Sequence, residues 1–354
     1  MAAIDTLFDR MLESGASDLH LAEGNVPKLR LHGEVIPITG APVLERDTLR
    51  EMLREICNPP ERWRVFEERG DMDFAYAYAD KARFRANYNR QIAGYGAVFR
   101  TIPSHILTLD ELGAPPVLRT FGEYTSGLCL VTGPTGSGKS TTLAGIIDYI
   151  NSNQARHILT IEEPIEFVHP IKRSAIVQRE VGIDATSFAA GLRATSRQDI
   201  DVLLVGEMRD LETISLAVSG SETGTLVFGT LHTNSAVKTV DRIIDVFPSD
   251  QQEAIRKTLA VSLRGVCAQL LLKRKTKGRI AAHEIMVQTL AVSNTIREGK
   301  NSGLTQIIMS NRAKGMQLMD DCIAGYLEQD LITGEEAYMK ALDKERFARF
   351  APQA

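Results

Sequence analysis

The sequence predicts an α/β protein in which a parallel-sheet domain follows a smaller α+β domain. Three observations support this. From residue 124 onward, apolar strand-like runs ("LCLVT", "HILTI", "VLLVG", "TLVFGTLHT") alternate with helical segments. A glycine-rich octapeptide, "GPTGSGKS" at 133–140, sits between one such run and a helical pattern. Residues 1–100 instead carry short alternating stretches, as half-buried antiparallel strands do. A length of 354 residues favours two domains, and 44% hydrophobic with 24% charged residues is ordinary for a folded chain.

Taken in order, Ile4, Leu7, Phe8, Met11 and Leu12 recur at helical spacing until "SGAS" ends the helix. "LHLAEG" and "KLRLHGEVIPI" read as strands, with a hairpin turn at His32-Gly33. Leu49, Met52, Leu53 and Ile56 mark a second helix, stopped by Pro59-Pro60. "DFAYAYA", "RFRANYNR" and "AGYGAVFR" alternate like antiparallel strands, which closes a domain over 1–100. The proline-bearing stretch 101–123 reads as a linker with a short helix, and 124–354 as the second domain. Within that domain, "SDQQEAIRKTLAVSLRGVCAQLLL" is the longest helix candidate. Ser249 and Gln252 form its capping box, and Ile255, Leu259, Leu263, Val266 and Leu270 form its apolar stripe. "ERFARFAPQA" reads as a frayed tail.

Composition narrows the function classes. With 41 basic against 45 acidic residues, a formal net charge of −4 argues against a nucleic-acid binder or a DNA-translocating motor. Cys57, Cys129, Cys267 and Cys322 lie far apart without a C-x-x-C pair, which argues against a zinc ribbon or a disulfide framework and for reduced, buried thiols. "MAAIDTLFDRMLES" lacks the cationic start of a signal peptide. No uncharged apolar run approaches the roughly 20 residues of a membrane span, so membrane association is expected through a partner.

The octapeptide matches G-x-x-x-x-G-K-[ST] in full, in the strand–loop–helix context that the motif requires. Gly133, Gly136 and Gly138 let backbone N–H groups wrap a phosphate chain, with a helix N-terminus behind them. Lys139 is expected to reach the β- and γ-phosphates of ATP, and the Ser140 hydroxyl to complete a Mg²⁺ shell. Thr135, Ser137 and Thr141 complete the expected phosphate-binding positions.

Downstream, "DVLLVGEMRD" runs Val202–Val205 into Gly206 and Glu207. Such a strand is buried on both faces, and a carboxylate at its tip is costly unless a cation meets it. Mg²⁺ with its water shell, or the attacking water beside it, is the expected neighbour of Glu207 at the carboxyl edge of the sheet. "HILTIEEPIEF" ends a strand in Glu162-Glu163-Pro164. Adjacent carboxylates repel unless a metal is near or one serves as a general base; the alternative is a solvated acidic loop. "TLVFGTLHTN" ends at His232, either a γ-phosphate sensor or a satisfied structural histidine.

These four segments, in this order and spacing, resemble the secretion ATPase superfamily, and within it the PilT-type retraction ATPases of type IV pili. "GLCLVTGPTGSGKSTTLAGIIDYIN" is similar to that family's Walker A region, and "HILTIEEPIEFVHP" to its acidic box. "DVLLVGEMRDLETI" is similar to its Walker B segment and "LVFGTLHTNSAVKTVDRIIDVFP" to its histidine box. "GASDLHL", "ARFRANYN" and "VFRTIPSHILTLDELG" are similar to its amino-terminal domain and linker, so the resemblance spans about 14–345. The resemblance implies a PAS-like amino-terminal domain and a RecA-like ATPase domain assembled as a homohexameric ring. It implies Lys139 and Ser140 on phosphate and Mg²⁺, Glu163 as general base, Glu207 on the metal shell, and His232 coupling nucleotide state to conformation. Arg83, Arg85 and Arg100 would lend positive charge to the phosphates; a solvated strand face is the other reading of their alternation. An inner-membrane platform protein and paralogous pilus ATPases are the implied partners, with the ring cytoplasmic and peripheral at the inner membrane.

The chain departs from the family pattern at Thr225, where a second histidine is usual, and at Ile200 in "SRQDID", where proline is usual. Ser293 and Thr295 in "AVSNTIREGK" stand where Arg and Leu are expected in a motif tied to retraction. None of these removes a hydrolytic residue. The alternatives to a retraction motor are a paralogous or accessory pilus or type II secretion ATPase, and a nucleotide-binding ring subunit with little hydrolysis. Intact Glu163 and Glu207 argue against the last, and the scattered cysteines against the zinc-bearing extension motors.

Overall fold

A computed structural model of the chain describes residues 3–31, 33–102, 105–195 and 197–352. The chain divides into two units, one comprising the residues up to His105 together with Pro164–Val168, the other Ile106–Glu163 and the chain from His169 onward.

In the first unit, helix α1 (Asp5–Ser14) leads into strands β1 (Asp18–Ala22), β2 (Lys28–Leu31) and β3 (Glu34–Pro37). Helices α2 (Arg46–Glu55) and α3 (Pro60–Arg69) precede strands β4 (Asp71–Tyr78), β5 (Ala82–Gln91) and β6 (Gly94–Ile102). The sheet order is β3-β2-β1-β6-β5-β4, antiparallel throughout. The expected hairpin turn falls partly on His32, which lies outside the described residues; Gly33 beside it has φ 94°. Strict alternation along β5 buries Ala82, Phe84, Ala86 and Tyr88 and leaves Arg83 and Arg85 on the other face. The buried face packs on Phe8, whose ring lies 4.4 Å from Phe84 and 5.0 Å from Phe99. Helix α3 corrects the reading of Pro59-Pro60 as a simple stop. Pro60 occupies the first turn of a new helix, where its missing N–H costs nothing, and Trp63 and Phe66 carry that helix into the core.

In the second unit, helix α4 (Val117–Glu123) precedes β7 (Gly127–Thr132), α5 (Lys139–Asn153), β8 (His157–Glu162), β9 (Ala175–Glu180) and α6 (Phe188–Thr195). Then come β10 (Val202–Val205), α7 (Leu211–Glu222), β11 (Leu226–Leu231), α8 (Ala236–Asp245) and α9 (Gln252–Ser262). Strands β12 (Leu263–Lys273) and β13 (Arg279–Val287) and helices α10 (Leu290–Arg297), α11 (Leu304–Ser310), α12 (Met319–Glu328) and α13 (Gly334–Lys340) complete it. The sheet order is β13-β12-β7-β11-β10-β8-β9, parallel except for β13. This is the RecA-like arrangement, and the strands are continuous apolar runs because helices cover both faces. Leu109, Leu118 and Phe121, from the proline-bearing stretch, are buried in its core.

Three expectations fail here. The long helix over 249–272 ends at Ser262, and Leu263, Val266 and Leu270 belong to strand β12 beside β7. An apolar run buried on both faces carries no period that separates helix from strand, and Gly265 settles it. A Cβ there would lie 2.3 Å from the Phe121 ring, so only a glycine strand lets that ring close over it. The Ser249–Gln252 capping box is absent too, since the helix opens at Gln251 without a side-chain cap. Nor is the tail frayed through 350: residues 345–350 form a 3₁₀ turn with Phe347 buried in a satellite core. The four cysteines are free thiols, with Cys57, Cys129 and Cys267 buried.

Because Phe8 is the ring on which the first unit's aromatic core converges, Phe8→Ala should destabilise that unit by about 3–5 kcal/mol. The chain's single tryptophan, Trp63, lies in the same core, 5.3 Å from Phe66. Urea unfolding followed by its fluorescence should therefore show a lowered midpoint.

Candidate nucleotide site at the carboxyl edge of the parallel sheet

Strand β7, buried along its whole length, delivers the chain to the carboxyl edge of the sheet, where Gly133 turns it with φ 144°. A Cβ on Gly133 would lie 2.2 Å from the Gln269 carbonyl oxygen, so β12 permits no other residue there. Gly136, with φ 78°, faces open space and is required by its backbone conformation alone. The loop then enters α5 at Lys139. The ammonium of Lys139 folds back over the loop, donating to the carbonyls of Gly133 (2.8 Å) and Pro134 (3.1 Å). Ser137 Oγ is buried and, among the described residues, has no hydrogen-bond partner. Left-handed glycines, a helix N-terminus, an ammonium and an orphaned hydroxyl form a cradle suited to a chain of phosphates.

Strand β10 runs between β8 and β11, and its end is pinned on both sides. The Gly206 N–H donates to the Ile161 carbonyl (2.8 Å), and the Thr230 hydroxyl donates to the Gly206 carbonyl (2.6 Å). This places Glu207 at the edge, where its Oε1 meets His232 Nε2 at 2.9 Å and also accepts from Arg209 Nε. Partial burial pushes the Glu207 carboxyl up, but the bonded guanidinium and imidazole outweigh it and hold the group below the usual carboxylate range. The cation that Glu207 faces in this structure is thus Arg209, with His232 beside it. Reciprocally, the bond to Glu207 raises the guanidinium's affinity for its proton, and the Glu163 charge adds to this.

The neighbouring acids separate cleanly. Glu162 is tied to the sheet, accepting from the Thr160 hydroxyl (2.7 Å) and from Gln178 Nε2 (3.3 Å). Glu163 is exposed, and among the described residues its carboxylate accepts no hydrogen bond. Glu163, Glu207 and His232 therefore stand just past the carboxyl ends of the neighbouring strands β8, β10 and β11, and Lys139 opens the helix that the loop after β7 enters, at the same edge of the sheet. The Ser140 hydroxyl opens α5, half-exposed, and Thr135 lies exposed on the loop. Among the described residues no three His, Cys, Asp or Glu side chains converge as a preformed metal site. A hydroxyl and one ionised carboxylate suit a Mg²⁺ that keeps its waters and enters with phosphate ligands.

In the first unit, Arg85 lies opposite Arg100, and Arg100 opposite Asp18, on one face of the sheet; Arg83, two residues from Arg85, shares it. Arg100 Nε bonds the buried Asp18 at 2.8 Å, and Arg85 lies 3.8 Å from Asp73. Burial acts to raise the Asp18 carboxyl, yet bonds from Ser17 and Arg100 leave it lowered. Asp18 thus offsets part of the arginine row. Two residues escaped the sequence reading. Arg209 stands two positions beyond Glu207. Gln269, a polar residue inside the apolar run "CAQLLL", is almost wholly buried, and that interruption was the available signal. Two of the departures meet: the Thr225 hydroxyl donates to the Ile200 carbonyl at 3.4 Å. Ser293 is buried in α10. Ser196, which opens "SRQDID", lies outside the described residues.

The type IV pilus retractation ATPase PilT of Pseudomonas aeruginosa is 48% identical over 335 residues, 95% of this chain and 97% of that protein. A twitching motility protein of Neisseria gonorrhoeae is 47% identical over 320 residues, 90% of this chain and 85% of its own length. The crystal structure of the pilus retraction motor PilT with bound ADP matches with a TM-score of 0.91 at 39% identity, covering 99% of each chain. The family described as Type II/IV secretion system protein, T2SSE, matches residues 2–276. The chain belongs to the Type II/IV secretion system protein family.

Proposed function

We propose that this chain is the ATP-hydrolysing subunit of a motor that powers type IV pilus retraction. The observation that carries the reading is the gathering of a phosphate-binding loop, an exposed carboxylate and a paired carboxylate–imidazole at one sheet edge, in a chain whose relatives are pilus retraction ATPases.

In this reading the loop amides and Lys139 grip the β- and γ-phosphates, with Thr135, Ser137 and Thr141 lining the grip. Ser140 and Glu207 would hold Mg²⁺, which would supply neutralisation of phosphate charge. Glu163 takes the proton of a water attacking in line on the γ-phosphorus, and ADP leaves with the electron pair of the broken P–O bond. Arg83, Arg85 and Arg100 supply positive charge for the developing transition state, as arginine fingers do. His232, hydrogen-bonded to Glu207, registers whether that carboxylate is engaged. Six copies close a ring at the cytoplasmic face of the inner membrane, and successive turnovers move a membrane-embedded platform protein that draws pilin subunits from the fibre. Among the described residues no helix is long and apolar enough to cross a membrane.

Deleting the gene should give hyperpiliated cells that do not twitch; bald cells would overturn retraction in favour of extension. With purified protein, Lys139→Ala should abolish phosphate release and weaken nucleotide binding. Glu163→Gln should still bind ATP while turnover falls about 10²–10⁴-fold, the usual contribution of a general base. The pairing of Glu207 gives a third check. Its folded-state pKa is depressed, so its stabilisation is present above the unfolded value of about 4.3 and is lost as pH falls through the lower folded value. The stability gap between wild type and Glu207→Gln should accordingly narrow as pH falls from about 5.5 towards pH 3 in thermal melts.

A further inference from the structure

We infer that Gln269, which touches no nucleotide in the reading above, is the positioning residue that aims the phosphate-binding loop. Gln269 lies on β12, 2% exposed, next to the loop that follows β7. Its Nε2 donates to the Ser137 carbonyl at 2.6 Å, and its Oε1 accepts from the Thr142 hydroxyl at 2.8 Å. The orientation of the amide follows from chemistry: a carbonyl only accepts, so the NH₂ end faces Ser137 and the Thr142 hydroxyl serves the oxygen end.

The consequence runs through the peptide plane. In a trans peptide the C=O of one residue and the N–H of the next point in opposite directions. Holding the Ser137 carbonyl against β12 therefore turns the Gly138 N–H away from β12, into the concavity of the loop. Among the described residues, that amide donates to no protein group. Without the Gln269 donor, the Ser137 carbonyl would be buried and unsatisfied, and a flip of the peptide would relieve it while removing an amide from the phosphates. Thr142, one turn into α5, locks the glutamine to the helix that begins at the loop, so strand, loop and helix move as one piece.

The proposal rests on the loop being a nucleotide site. Its test is ADP binding by calorimetry, alongside steady-state hydrolysis. Gln269→Met keeps the length and removes both bonds; the dissociation constant for ADP should rise about tenfold, with KM for ATP rising more than kcat falls. Gln269→Glu supplies a readout that packing alone would not move. Ionised, its carboxylate opposes the Ser137 carbonyl; protonated, its O–H can donate to it, and burial raises its pKa towards neutrality. ADP affinity of this variant, relative to wild type, should recover as pH falls from 8 to 6, whereas Gln269→Met should show no such trend. If Gln269→Met does not fold, Thr142→Val should weaken ADP binding and Thr142→Ser restore it. ADP affinity within twofold of wild type in a folded Gln269→Met or Thr142→Val variant would overturn the proposal, as would a pH-independent ratio for Gln269→Glu. Absent ATP turnover by the wild type would instead strike the functional reading, and the ADP measurements would still decide the role of Gln269.

Discussion

The backbone between β7 and α5 has to turn its amides inward at the edge of a fully buried sheet, and the rest of the second unit is arranged around that turn. Gly133 can take its left-handed conformation only because it has no side chain to strike β12. Strand β7 can be apolar on both faces because β11 and β12 flank it and helices cover it. Helix α5 buries most of its length, so its N-terminus and the partial positive charge there are held still. A loop of this shape without such support would relax and satisfy its amides internally. Gln269 and Thr142 supply part of the support from the interior, with polar groups that have no water to turn to.

Charge at the same edge is arranged in pairs. Glu207 is ionised and bonded to Arg209 and His232, so a carboxylate near the sheet's interior is not left alone. Those partners are side chains past the ends of strands rather than core groups. Glu163, one residue beyond the tethered Glu162, is exposed and among the described residues accepts no hydrogen bond. The division of labour between these adjacent acids follows from Thr160 and Gln178, which reach the first and not the second. In the first unit, the arginine row is likewise partly neutralised by Asp18 on the neighbouring strand.

Much of this was legible in the residues. The loop motif, the buried strands before Gly133 and Gly206, and the alternation that puts Arg83 and Arg85 on one face and Phe84 and Ala86 on the other all depend on local rules of spacing. Where local rules tie, the reading failed. "LRGVCAQLLL" has apolar residues at helical spacing and also along a nearly continuous run, and the strands β7 and β13 beside it, with Gly265 under Phe121, make the extended form the one that satisfies its backbone and packing. Pro60 closes one pattern and opens another, and Trp63 and Phe66 needed a core to bury into before that was visible. The terminal "ERFARF" looks charged and loose until Phe347 is seen buried.

By itself, then, the amino-acid sequence determined that a glycine-rich loop joins a buried strand to a helix, which lysine and hydroxyl that loop carries into the helix, and that acids and a histidine end the neighbouring strands. Each of these is a matter of residue type and spacing over a dozen positions or fewer, where chain connectivity alone sets the distances. Only the tertiary structure decided that Glu207 is held by Arg209 and His232, that Glu162 is tethered and Glu163 is not, and that Gln269 holds the loop from a strand 132 residues away. These are contacts across a sheet, and strand order, which no local pattern encodes, determines which side chains become neighbours.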